Sequence, residues 1–218
     1  MESFELEIID KAAAFAKTKL RNVLSSHGWD HTSRVVKNAE RIAAAEPEAD
    51  PFVVTVSAIL HDISREEEDK SSGSVCHAES GSRIAFEFLR ECGLNESRTS
   101  HISSCIRTHR YRDSMKPETL EARILYDADK LDSIGAVGIG RAFLFSGEIG
   151  ARLHNTEISV DQTSAYSEED TAFREYKVKL RHIKDNMLTR EGKRLAEERH
   201  LFMDEFFSRL KREMTGDI

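Results

Sequence analysis

Proline is scarce in this 218-residue chain, with three in all: Pro47, Pro51 and Pro117. Most of the length therefore lacks the residue that breaks helices, and long helices are permitted almost everywhere. Cysteine is as scarce. Cys76, Cys92 and Cys105 form no CxxC pair, which argues against a disulfide framework and for reduced thiols. No apolar run approaches the roughly 20 residues of a membrane span. The opening MESFELEIIDKAAAF is too mixed and charged for a secretory signal. The expectation is a cytoplasmic protein that does not enter a membrane. Cations are also outnumbered, 32 Lys and Arg against 39 Asp and Glu, for a net charge of -7. Such a chain is a poor electrostatic partner for duplex nucleic acid, which needs clustered positive charge. A small phosphate ligand is still compatible, because a bound metal and a few arginines can oppose the global field locally.

What is there is helical pattern. Hydrophobic residues make up 39% and charged residues 33% of the chain, enough for one sizeable helical domain or two small ones. Strand signals are weak, and neither an internal repeat nor a low-complexity linker is found. Residues 3–24 read as an opening helix with Phe4, Ile8, Ala12, Phe15, Leu20 and Val23 at apolar positions. Asp30 can cap a second helix with Val35, Ala39, Ile42 and Ala43 inside. Pro51 can start a third, apolar nearly all round and so central, which ends at His61-Asp62. Residues 64–76 read as a charged, then Ser/Gly-rich loop. A fourth helix carries Ile84, Ala85, Phe88, Leu89 and Cys92 and ends near Gly93; Asn95 caps a fifth with Ile102, Cys105 and Ile106. A short helix leads from Pro117 to Asp127-Ala128-Asp129. Gly135, Gly138 and Gly140 suggest close helix approach rather than a dinucleotide fingerprint, since no strand precedes them. Residues 147–167 lack periodicity and are expected to form a loop over the site. Ser167 to Asp170 resembles a capping box. A last helix over 189–213 shows Leu195, Phe202, Met203, Phe206 and Leu210 and is expected to pack as a lid.

Four ionisable residues stand out: His31, the pair His61-Asp62, and Asp129. They are far apart in sequence, each in a helix or at a helix end. That is the pattern of a metal site assembled by helix packing inside a bundle. Two polar residues ending the most buried helix need a partner, because leaving them unpaired is costly. A nitrogen and oxygen donor set without thiolate suits Mn, Fe, Ni, Mg or Zn as a divalent ion. Neighbouring helix residues diverge by about 100°, so His61 and Asp62 can share one ion only if it lies between their directions.

The order His, His-Asp, Asp, in the contexts GWDHTSRVVKNAERIA, AILHDI and DADKLDSIGAVGIGRAF, closely resembles the HD-domain superfamily of metal-dependent phosphohydrolases. The tail, with FREYKVKL and MLTREGKRLAEERHLFMDEFF, resembles the C-terminal part of a compact bacterial subgroup. The likeness covers nearly the whole chain. It implies an all-α helical bundle with a C-terminal helix packed on it, and a single domain over 1–218. The metal-binding core would span about 20–146 and the C-terminal helical part about 168–214. It implies His31, His61, Asp62 and Asp129 as metal ligands and hydrolysis of a phosphate ester or anhydride, often of a nucleotide. Some relatives add two histidines between the HD pair and the last aspartate and bind a second metal. His77 and His109 are the candidates here, with His101 as competitor.

Asp62, Arg34 and Lys130 are the candidates for catalytic roles. Arg34 lies one turn beyond His31 on nearly the same face and could contact a substrate phosphate. Lys130 follows the last ligand and could neutralise developing phosphate charge, with a salt bridge to Asp127 or Asp132 as the plainer alternative. Asp30 fits a carboxylate behind a ligand as well as it fits a cap. In some nucleotidase relatives a glutamate four residues after the HD histidine serves as acid; here Arg65 stands there and Glu66 is displaced by one. The run Arg65 to Lys70 reads as a solvated loop, the Arg107, Arg110 and Arg112 cluster as a polyphosphate holder or a plain basic helix end, and His27, His154, His182 and His200 as ordinary histidines. The leading expectation is a phosphohydrolase with one metal site, a second left open, and a small phosphorylated substrate; a homo-oligomer is compatible. The alternatives are a non-catalytic HD module that binds a nucleotide for signalling, a structural bundle stapled by a metal, and a two-iron oxygenase, which needs the second metal.

Overall fold

The apolar run beginning at Pro51 becomes the centre of the first part of the molecule. In the computed structural model, which describes residues 2–23, 27–71, 74–111, 115–155 and 157–218, every residue from Phe52 to Leu60 is buried. This helix, α3 (Pro51–Leu60), packs against α1 (Ser3–Lys19), α2 (Trp29–Ala43) and α6 (Glu96–Thr108). Its start is fixed by Asp50, whose carboxylate accepts the Phe52 and Val53 N–H groups at 3.0 and 3.2 Å. Pro51 occupies the first turn, where a missing donor costs nothing. Burying each large aliphatic side chain of α3 is worth about 1.5–3 kcal/mol, so the helix that leads into His61-Asp62 is firmly held.

Around it, α4 (Arg65–Lys70) packs on α5 (His77–Glu91), and α5 packs along α6. The chain then enters α7 (Leu120–Leu131). Two compact units result, Met1–Asp129 and Lys130–Ile218, with the boundary inside α7. In the second unit α8 (Gly135–Glu148) packs against α9 (Ala172–Val178) and α10 (Arg190–Thr215). Short 3-10 turns lie at Val160–Gln162 and Leu180–Asn186. Phe207 of α10 stacks on Tyr176 of α9 with ring centroids 4.4 Å apart. The described residues contain no strand, so the molecule is all-α.

Several local expectations are corrected. The opening helix stops at Lys19, short of 24. The second helix is capped by Gly28, and Asp30 sits in its first turn, where its charge suits the helix dipole. Residues 65–70 are helical: acidic Glu66, Glu67 and Glu68 lie at the N-terminal end and Lys70 at the C-terminal end, both favoured by the dipole. Thr171, not Ser167, caps α9, accepting the Arg174 N–H at 3.1 Å, while Ser167 serves a local turn through Glu169. In α10 Phe202 is exposed and Phe207 buried, because 195, 203 and 207 share one face. Of the glycines, Gly135 has φ +75° and would place a side chain 3.0 Å from the Arg199 stem of α10, whereas a side chain at Gly138 would first meet the Ser133 carbonyl of its own preceding turn. Asn95 does cap α6, accepting the Arg98 N–H at 3.0 Å.

Candidate metal centre

Two helix starts and three helix ends deliver the ionisable residues to one place in the first unit. His31 comes from the first turn of α2, His61 caps the C-terminus of α3 and Asp62 follows it. His77 opens α5 and His109 caps the C-terminus of α6. Asp129 lies near the end of α7. All but the half-buried Asp129 are nearly inaccessible to solvent.

These side chains form two groups of potential metal donors: His31, His61 and Asp129, and Asp62, His77 and His109. Asp62 also reaches the first group. Its Oδ2 is 3.6 Å from the Nε2 of both His31 and His61, while its Oδ1 is 3.0 Å from His77 Nε2 and 3.7 Å from His109 Nε2. Asp129 Oδ1 is 3.5 Å from His31 Nε2. One carboxylate thus turns one oxygen to each group. Donor atoms that share an ion at about 2.0–2.2 Å lie roughly 3–4 Å from one another, which is the spacing found.

The histidine tautomers support the same reading. His61 Nδ1 donates to the Ala58 carbonyl at 2.8 Å, and His109 Nδ1 to the Ile106 carbonyl at 2.6 Å. His77 Nδ1 donates to Glu68 Oε2 at 2.6 Å. With those protons on Nδ1, the Nε2 lone pairs point inward. His77 and His109 then face each other with Nε2 atoms 3.2 Å apart, and His61 faces His31 at 3.3 Å. Lone pairs at such distances repel, so the first of these contacts requires positive charge between the rings, either an added proton or a metal ion. The all-nitrogen and oxygen donor set fits a hard or borderline divalent cation.

Electrostatics favour the ligating forms. Burial pushes the imidazoles of His61 and His109 below their ordinary range, His109 to about 3, so both are neutral near pH 7. Burial alone would raise the Asp62 carboxyl, but His61, His77 and Arg65 around it outweigh that and hold it well below the usual carboxylate range.

Beside this centre lies a cluster that sequence reasoning treated as solvent-facing. Glu68 accepts from His77, from Arg65 Nη1 at 2.7 Å and from Arg110 Nη1 at 2.5 Å. Burial opposes its charge, yet His77 and Arg110 bring its carboxyl down to about 2. Arg65, at the position where nucleotidase relatives carry glutamate, is part of this cluster, while Glu66 turns to Lys70 at 2.7 Å and Asn22 at 3.5 Å. The i, i+3 spacing of Arg65 and Glu68 was the available signal.

His101 is not with either group; its Nε2 is 3.1 Å from Thr119 Oγ1 and 3.2 Å from Glu121 Oε2. Arg34 is half-buried one turn beyond His31, and Lys130 is half-buried next to Asp129 in the chain. His27, assigned no role from sequence, lies edge-on to His31 with centroids 5.8 Å apart. Arg107 is exposed at the end of α6, and Arg112 lies outside the described residues.

An all-helical fold with paired histidine and aspartate donors at its helix ends defines a class, and the comparisons agree with it. Residues 28–134 match the HD domain family. The chain is 33% identical over 217 residues to the uncharacterized protein YpgQ of Bacillus subtilis (strain 168), covering 97% of this chain and 96% of that one. The chain belongs to the HD-domain superfamily. Among solved structures it is similar to Bacillus subtilis YpgQ in complex with ADP, with a TM-score of 0.76, 28% identity and 96% of each chain covered. It is also similar to an HD-superfamily hydrolase from Bacillus thuringiensis, with a TM-score of 0.77, 27% identity and 97% and 98% of the two chains covered. A predicted HD-superfamily hydrolase from an uncultured Thermotogales bacterium gives a TM-score of 0.68 at 28% identity, covering 94% and 92%. Hydrolysis is the class of chemistry these relationships support.

Proposed function

We propose that the chain is a divalent-metal-dependent phosphohydrolase that cleaves a phosphate ester or anhydride of a nucleotide or related small molecule. The observation that carries this reading is Asp62, whose two oxygens face the His31/His61 and His77/His109 pairs at 3.0–3.7 Å. His31, His61, Asp62 and Asp129 would hold one cation; His77, His109 and the far oxygen of Asp62 would hold a second. When bound, Mn, Fe, Ni, Mg or Zn there supplies a more acidic water and draws charge from phosphoryl oxygens. Nδ1 hydrogen bonds of His61, His77 and His109 keep the donor atoms aimed without reorganisation. Arg34 and Lys130 would bind the phosphate and offset the negative charge that grows on it as the bond breaks. That a YpgQ structure holds ADP supports a nucleotide as the ligand class.

The test is release of phosphate or pyrophosphate from a panel of nucleoside diphosphates, nucleoside triphosphates and a generic phosphodiester, with added manganese. Turnover by the native protein that is lost in His61→Ala and Asp62→Ala supports the reading. Tight nucleotide binding without turnover on any of them would favour a non-catalytic signalling module instead.

A further inference from the structure

We propose that Glu68 is a positioning residue for the second cation site, acting through His77. This rests on the two-cation reading above. The three histidines stand at different places on their helices. His61 and His109 terminate α3 and α6, so each finds its Nδ1 acceptor in the carbonyl three residues back, Ala58 and Ile106. His77 is the first residue of α5. No helical turn precedes it to offer such a carbonyl. Its Nδ1 is satisfied instead from another element, by Glu68 Oε2 of α4 at 2.6 Å.

A contact that short between a ring nitrogen and a carboxylate oxygen requires the proton on Nδ1, which leaves Nε2 as the metal-facing lone pair. The carboxylate does more than the backbone carbonyls can: its charge makes the imidazole a stronger donor. Glu68 is itself pinned. Arg110 holds Oε1 at 2.5 Å and Arg65 holds Oε2 at 2.7 Å. Arg65 Nη1 also lies 2.9 Å from His77 Nδ1; a guanidinium only donates, so the acceptor that both groups share is the Glu68 carboxylate. The six-residue helix α4 is thereby tied to the cation site by one side chain. The two other glutamates of that run are engaged elsewhere: Glu66 pairs with Lys70 and Glu67 with Ser64 and Ser80.

The experiment is titration of metal-free protein with Mn(II), read by stoichiometry and by electron paramagnetic resonance. The native chain is expected to bind two ions per chain, one in each donor group, with the spectrum of a magnetically coupled pair. In Glu68→Ala the second ion should bind about 10–100-fold more weakly, while the first is retained and gives an uncoupled spectrum. Glu68→Gln should fall between, because its amide oxygen still accepts from Nδ1. On a His77→Ala background, adding Glu68→Ala should change nothing further. Coupled binding at native affinity in Glu68→Ala would overturn the role of Glu68 and leave the two-cation reading standing. A single ion in the native chain would overturn both. Loss of both ions in Glu68→Ala, or a further loss on the His77→Ala background, would contradict an action confined to His77.

Discussion

Asp62 is the residue on which most depends, since it faces both donor groups at once. Asp62→Asn keeps the shape and removes the charge. Metal content measured after dialysis should fall at both sites, by more than the about 10–100-fold typical of a partner behind the ligands; loss at only one site would contradict the bridging geometry. The buried histidines give a second prediction. His109 is pushed from its ordinary 6.5 to about 3, and His61 is lowered as well. Between those pH values the unfolded chain takes up a proton at His109 that the folded chain refuses. Stability of the metal-free protein should therefore fall as pH drops through that window, with no contribution from this group above it. Urea midpoints at pH 7.5 and 5.0 in chelator check this, and a higher midpoint at pH 5.0 would contradict it. At this scale the legible residues were those with distinctive context: His31, His61, Asp62 and Asp129 were singled out from the chain, and His77 and His109 after them. Glu68 was not, because a carboxylate within a charged run looks solvated until a neighbouring helix turns it inward. His101 and His109 were indistinguishable by type; about two turns of α6 separate them, one reaching Glu121 and the other Asp62.

At the scale of elements, the position of His61-Asp62 is set by where α3 begins and how deeply it is buried. Asp50 fixes that start and also pairs with Arg98 at 3.0 Å. Replacing it with Ala should cost about 0.5–2 kcal/mol, most of it from the lost cap; Asp50→Asn, which can still cap, should cost less. Equal urea midpoints for Asp50→Ala and the native chain would show that the cap does not hold the helix. The pattern of α3 was plain in sequence because an apolar run with proline at its head has few other readings. The cap was not, since Asp50 precedes the proline and bears no periodic signal. Helix α4 was hidden for a different reason: it buries no residue fully, so it has no apolar stripe to betray it. In α10 the stripe was legible at Leu195 and Met203, which are buried, but packing turned Phe207 inward and left Phe202 exposed.

For the whole molecule, the all-α class follows from scarce proline and recurrent helical spacing, and it was legible from the start. The division after Asp129 was not, because it falls inside α7 with no change in composition to mark it. Bound cations should stabilise the fold, since their donors come from α2, α3, α5, α6 and α7, which separate on unfolding. Manganese at about 100 times its dissociation constant should add roughly 2.7 kcal/mol per site, seen as a rise in the thermal midpoint that chelator reverses; an unchanged midpoint would mean that no cation binds the folded state preferentially. The most direct measurement is anomalous diffraction from crystals grown with abundant manganese. The account predicts two peaks, one on each side of the Asp62 carboxylate, the first touched by His31, His61 and Asp129 and the second by His77 and His109. Density that shows these side chains turned apart, with no anomalous peak among them, would contradict it.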